Sequence, residues 1–197
     1  MTVRATYAGP WRVDLEVRPG VFLPIARSVL VRTLVTALEA AGATPPASIG
    51  LILTDDGELA ALNAQHMGSG EPTDVLSFPL LPPGSFPAHR GRPATDRPMP
   101  AAFPLPPRVR PHLGDIVVSV ERAIEQAEAG RGGQTGDVRW TANDELRLLV
   151  AHGTLHVCGW DHADPDEGDA MRALEHGVVG DSSTRDRRET VSQSRGR

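Results

Sequence analysis

HGTLHVCGWDH, residues 152–162, places three of the chain's seven histidines and an aspartate within one short stretch. His152 and His156 stand four apart. On a helix such a pair shares one face, with Cβ atoms about 5–6 Å apart, so two imidazoles meet one ion. Gly159 follows three residues after His156. A glycine there takes the left-handed conformation that ends a helix and turns the chain back. His162, just past the turn, then supplies a third ligand. Three protein ligands plus an open position is the arrangement of a catalytic zinc site, in which bound water approaches a pKa of about 7.

Working back along the same helix, steps of about 100° per residue put Glu145, Leu149, His152 and His156 within a narrow arc. Leu148 and Leu155, then Gly153, Leu146, Val157 and Val150, flank it. Arg147, Thr154 and Ala151 are left for the opposite face. The two histidines are therefore central on a broad apolar face, where unpaired imidazoles are costly. A metal or a dedicated hydrogen-bond network has to satisfy them. The spacing H-x-x-x-H-x-x-G-x-x-H is that of the metzincin peptidases, which carry Glu directly after the first His as general base. Gly153 holds that position here, which argues against peptidase activity.

Two carboxylates near the cluster are candidate catalytic groups. Asp161 orients a ligand, accepts a proton, or merely holds the turn. Glu145 approaches the metal water or hydrogen-bonds a ligand, or serves the helix dipole. Cys158 projects from roughly the opposite side of the helix and is rejected as a ligand. His66, His89, His112 and His176 have no partners at metal spacing and are assigned nothing.

The rest of the chain reads as alternating strands and helices. WRVDLEV (11–17) alternates apolar and polar residues, a half-buried strand. Residues 24–41 repeat apolar positions at helical spacing until Gly42 and Pro45-Pro46. SIGLILT (48–54) reads as a buried strand, followed by a helix that Asp55 or Asp56 caps and that runs to about His66. VLSFPLL (75–81) is a short strand that Pro79 confines to an edge. DIVVSV (115–120) is another strand, ERAIEQAEA (121–129) a helix, and a last helix spans about 166–179. Thr73, Asp74 and Ser77 are candidates to line a substrate cleft. The Pro-rich, aperiodic segment 82–111 reads as an insertion, and the polar stretch 181–197 as a disordered tail. Residues 1–180 then form a single domain.

Composition narrows the function classes. A net charge of −5 argues against broad non-specific nucleic-acid binding. A single cysteine excludes an intrachain disulfide and fits a reducing, cytoplasmic setting. The start has no apolar signal region, and the longest apolar segment is broken by Pro24, Arg27 and Arg32, so no membrane span is expected.

HGTLHVCGWDH closely resembles the H-G-x-L-H-x-x-G-Y-D-H signature of the YbeY family of bacterial rRNA-maturation endoribonucleases. PTDVLSF (72–78) and LGDIVVS (113–119) are similar to the family's two other hallmark segments, in the same order. Met171, Leu174 and Glu175 fit its closing helix. The resemblance covers about residues 49–179 apart from the insertion. It implies an α+β fold, with a small mixed β-sheet packed with helices and a zincin-like three-histidine site on a central helix. His152, His156 and His162 would bind one Zn2+ per chain. It further implies cleavage of single-stranded RNA in 3′-end maturation of small-subunit rRNA and in ribosome quality control, with rRNA and the small subunit as partners and no DNA. Two departures stand out. Many members carry Arg where this chain has Met67, and Trp160 replaces the usual Tyr. The arginines of the insertion, Arg90, Arg92, Arg97, Arg108 and Arg110, are candidate cationic contacts to RNA; the alternative is a solvated Pro-rich insertion without a role. The alternative readings are a ribosome-binding assembly factor with a structural zinc, and a metal-dependent hydrolase of another substrate.

Overall fold

The computed structural model describes residues 4–68, 73–92, 106, 109–129 and 141–194. Half of the Pro-rich segment (93–105 and 107–108), residues 130–140 with the RGGQTG loop, and residues 195–197 lie outside the described residues, so the readings made of them stand as sequence readings.

Five strands form one mixed sheet in the order β1-β2-β3-β5-β4. β1 (Arg4–Ala8) and β2 (Trp11–Val17) are an antiparallel pair joined by the two-residue turn Gly9-Pro10. β2 pairs in parallel with β3 (Ala47–Thr54), and β3 in parallel with β5 (His112–Ser119). The parallel step from β2 to β3 requires a crossover, which α1 (Arg27–Ala40) supplies. β4 (Val75–Pro79) closes the sheet antiparallel to β5. Its proline ends the ladder at an edge, as a residue without an N–H must.

α2 (Asp56–Met67) begins at Asp55, whose carboxylate accepts from the Glu58 N–H at 2.8 Å. It covers one face of the sheet through Leu59, which packs with Leu76 and Val117. Ile116 and Val118, alternating with Val117 on β5, point to the other face and the main core. α3 (Val120–Glu128) leads away from β5.

α4 (Ala142–Val157) is the central element. It lies on β4 and β5 and is flanked by α1, α3 and α5 (Pro165–Ser194). A capping box starts it: Thr141 Oγ1 accepts from the Asp144 N–H, and Asp144 Oδ2 accepts from the Thr141 N–H. Neighbours on every side bury the face opposite the histidines as well. Arg147 is 3% exposed and Ala151 and Thr154 are fully buried. Arg147 donates to Thr33 Oγ1 and to the Val179 carbonyl, and pairs with Asp144.

Two further differences from the sequence reading concern the termini. β1 was not anticipated, because RATYA is mostly exposed and only its pairing with β2 makes it a strand. The backbone of α5 continues to Ser194, beyond the span of about 166–179 expected for the last helix; no proline interrupts it. Among the described residues, no helix is long and apolar enough to cross a membrane.

Candidate metal centre and its cleft

α4 delivers His152 and His156 one turn apart, then stops in a Schellman turn. The Trp160 N–H reaches the Leu155 carbonyl at 3.1 Å and the Gly159 N–H the His156 carbonyl at 3.0 Å, with Gly159 at φ +84°. The reversal brings His162 back to the helix. The three imidazoles each offer a nitrogen, all within 4.8 Å of one another. His152 Nε2 and His156 Nε2 are 3.0 Å apart. An ion about 2.0–2.1 Å from each tetrahedral ligand needs nitrogens roughly 3.3–3.4 Å apart, so small ring movements suffice.

In His152 and His156 the other ring nitrogen is already committed. His152 Nδ1 bonds Glu175 Oε1 at 2.7 Å, and His156 Nδ1 bonds the Trp160 carbonyl at 2.9 Å. Such partners fix the tautomer and aim Nε2 at the metal position. Burial, above all, and the neighbouring His152 hold His156 down at about 4, so it is a neutral, ligand-ready imidazole at physiological pH. The three histidines fit a metal ion.

The histidines lie between two hollows. One, of about 580 Å3, runs along β4 and is walled by Thr73, Asp74, Ser77 and Arg92. The other, of about 280 Å3, lies between α3, α4 and α5 and includes Asp74, Glu145, Arg172 and Glu175. Thr73, Asp74 and Ser77 therefore do face the cleft, but each has a protein partner. Thr73 Oγ1 donates to the Val75 carbonyl, Asp74 accepts from the Gln126 amide, and Ser77 Oγ donates to the Gly153 carbonyl.

Asp161 is a turn aspartate. Its carboxylate accepts from the His162 N–H at 2.7 Å, and that bond holds its pKa below the usual carboxylate range. Glu175 and the Trp160 carbonyl are the partners of the His152 and His156 rings. Glu145 is 4% exposed, and its Oε2 has no hydrogen-bond partner among the described residues. Burial, then the nearby Asp74 charge, lifts its carboxyl to about 7. Cys158 is buried, and its thiol is pushed up to about 12, which agrees with its rejection as a ligand. Asp115 lies away from both hollows and bonds His112 Nε2 at 3.1 Å.

Of the insertion's arginines, Arg90 pairs with Asp166 and Arg110 stands over the Tyr7 ring. Arg92 reaches the Gly159 carbonyl at the cleft wall. Arg97 and Arg108 lie outside the described residues. His89, to which the sequence assigned nothing, stacks on Trp160.

The glycine after His152 has a steric cause. A Cβ at Gly153 would stand 2.6 Å from Ile116 Cγ2 and 3.0 Å from Val75 Cγ2. α4 thus approaches the sheet too closely for any side chain there.

A family model described as Endoribonuclease YbeY matches residues 25–182. Proteins named Endoribonuclease YbeY are similar over most of the chain. The one from Clavibacter michiganensis is 34% identical over 170 residues, 85% of this chain and 94% of the relative. The one from Mycolicibacterium gilvum is 34% identical over 169 residues, 85% and 82% of the two chains. The one from Trichormus variabilis is 41% identical over 138 residues, 68% and 64%. A solution structure of TM1509 from Thermotoga maritima aligns at a TM-score of 0.49 and 22% identity, over 89% of this chain and 93% of that one.

Proposed function

Because the chain belongs to the Endoribonuclease YbeY family, we propose that it is a zinc-dependent, single-strand-specific endoribonuclease. Its work is 3′-end maturation of small-subunit rRNA and ribosome quality control, in the cytoplasm and on the small subunit. The observation that carries this reading is the convergence of His152, His156 and His162, with two of the three rings aimed by Glu175 and the Trp160 carbonyl. A zinc ion held there supplies Lewis-acid polarisation of the scissile phosphate or of a water.

The chain's own groups divide the remaining work. Glu145 lines the smaller hollow beside His152 and His162. A carboxyl that titrates at about 7 both accepts and returns a proton near neutral pH, the requirement for a general acid–base. We therefore assign proton transfer to Glu145 rather than to Asp161, whose carboxylate holds the His162 backbone. Thr73, Asp74 and Ser77 form the wall along which a single strand lies, and Arg92 adds a positive charge at that wall. An open groove beside an exposed sheet edge admits an extended strand. The Gly153 contacts leave no room for a metzincin glutamate, which favours this reading over a peptidase.

The test pairs metal analysis with cleavage of single-stranded RNA, comparing wild type with His156→Ala. About one zinc per chain is expected, with cleavage lost in the variant while its circular dichroism is kept. Zinc bound without cleavage, on free RNA and on small subunits alike, overturns the enzyme in favour of an assembly factor. Absence of bound metal overturns the ligand assignment.

A further inference from the structure

The segment that follows β4 folds against the metal-binding loop. Phe86 is buried in the core and anchors it. His89 and Arg92 then exchange backbone hydrogen bonds of 3.0 and 2.9 Å, closing a tight turn around Arg90 and Gly91. Gly91 has φ +82°, and a Cβ there would lie 2.4 Å from Glu167 Cβ and 2.7 Å from Glu167 N. The turn therefore rests directly on the start of α5.

Three contacts join this turn to the stretch between the second and third histidines. The His89 ring stacks on the Trp160 indole, with centroids 3.7 Å apart and planes 14° from parallel. His89 Nε2 meets Glu167 Oε1 at 2.8 Å, and the side chains of His89 and Glu167 are only 9% and 7% exposed. The same oxygen accepts from the Asp161 N–H at 2.8 Å. Arg92 donates to the Gly159 carbonyl. Asp161 in turn accepts from the His162 N–H, and the Trp160 carbonyl holds His156 Nδ1. Every residue from Gly159 to Asp161 is thus gripped by residues 89–92 or by Glu167.

We propose that residues 86–92 are a brace that positions His162 and the Trp160 carbonyl, and so sets the affinity of the three-histidine site for its metal. This rests on the metal reading given above. His89 and Glu167 are positioning residues, with no contact to the reacting atoms. Partners outside the ligand shell change metal affinity by about 10–100-fold when removed. His162 is the exposed ligand, on a loop rather than on α4, and depends most on such support.

The experiment measures Zn2+ affinity of the full chain by competition with a chromophoric chelator at fixed pH. Cobalt(II) absorption spectra are recorded beside it as a report of coordination geometry. His89→Ala and Glu167→Gln are each expected to bind zinc about 10–100-fold more weakly and to weaken and shift the cobalt bands. His89→Phe keeps the stack, loses the Glu167 pair, and should fall between His89→Ala and wild type. Arg90→Ala removes only the exposed pair with Asp166 and should bind as wild type does. Wild-type affinity and spectra in both His89→Ala and Glu167→Gln overturn the brace while leaving the metal site standing. A wild type that binds no zinc overturns the metal reading, and the brace with it. If His89→Ala does not fold, His89→Phe and Glu167→Gln decide, and wild-type affinity in both is the overturning result.

Discussion

Gly153→Ala adds one methyl where α4 meets the sheet, and two opposing effects decide its sign. Alanine gains about 1 kcal/mol over glycine in a helix interior. Against that, the new Cβ would stand 2.6 Å from Ile116 Cγ2, 3.0 Å from Val75 Cγ2 and 3.3 Å from Ser77 Oγ. Ile116 is fully buried on β5 and β-branched, so its Cγ2 moves only if χ1 leaves its rotamer or α4 lifts away. Overpacking of this kind costs about 1–3 kcal/mol, and a contact as short as 2.6 Å to a side chain that cannot swing aside puts it in the upper part of that range, about 2–3 kcal/mol. The steric effect wins, for a net loss of about 1–2 kcal/mol. At roughly 2–4 °C per kcal/mol for a chain of this size, Tm falls by about 2–8 °C. The assay is thermal unfolding followed by circular dichroism on metal-free protein, which keeps ligand linkage out of the comparison. Gly177→Ala is the control. Gly177 lies in α5 with nothing within 4 Å of a Cβ and should gain about 0.5–1 kcal/mol. A Gly153→Ala protein as stable as wild type, with the control stabilised, would refute the close approach as the reason for this glycine. Gly153→Glu, which installs the metzincin base, should lose more stability than alanine and gain no peptidase activity.

Two further outcomes follow from buried charge. Glu145 has its folded pKa raised from 4.5 to about 7, so the folded state holds the proton that the unfolded chain releases. Its stabilising contribution is present below about pH 4.5 and is lost as pH rises to about 7, by at most about 3 kcal/mol at 1.36 kcal/mol per unit. Metal-free Glu145→Gln should therefore be more stable than wild type at pH 8 and about equal at pH 4.5 in denaturant titrations, while RNA cleavage at neutral pH falls at least 100-fold. Equal stability at both pH values would contradict the raised pKa. Arg147→Met removes hydrogen bonds to Thr33 and the Val179 carbonyl at a 3%-exposed position and should cost about 2 kcal/mol, or about 4–8 °C in Tm, with zinc affinity unchanged. A loss of affinity would show that Arg147 also orders the metal site.

The features legible in the sequence were those encoded locally. The pair His152 and His156, the Gly159 turn and His162 lie within one short stretch, and local geometry alone brings them together. The Asp55 cap and the edge position forced by Pro79 are legible for the same reason. What escaped depends on contacts between distant segments. A projection of α4 alone puts Arg147, Thr154 and Ala151 on the face opposite the histidines but does not show that α1 and α5 cover it. Glu175 was read as part of a closing helix, though a glutamate on the same helical face as Met171 and Val178 is a signal for a buried acid with a partner. His89 carries no such signal; only the folded chain sets it on Trp160. The steric role of Gly153 was hidden too, since a sequence shows a missing glutamate but not the isoleucine that excludes it.

The insertion, residues 82–111, lies in the connection between β4 and β5. The entropy of closing a loop grows only with the logarithm of its length, about 0.6 kcal/mol per doubling. Extra residues there leave the register of the sheet and the seat of α4 untouched, so natural drift can lengthen or rewrite this connection at little thermodynamic cost. The helix that carries the first two histidines has no such latitude, with Ile116 and Val75 against its glycine. One chain therefore holds a nearly frozen element beside an evolutionarily permissive one. Because residues 89–92 lean on the loop between the histidines, changes accumulated in the permissive part have a direct route by which selection can adjust the frozen one.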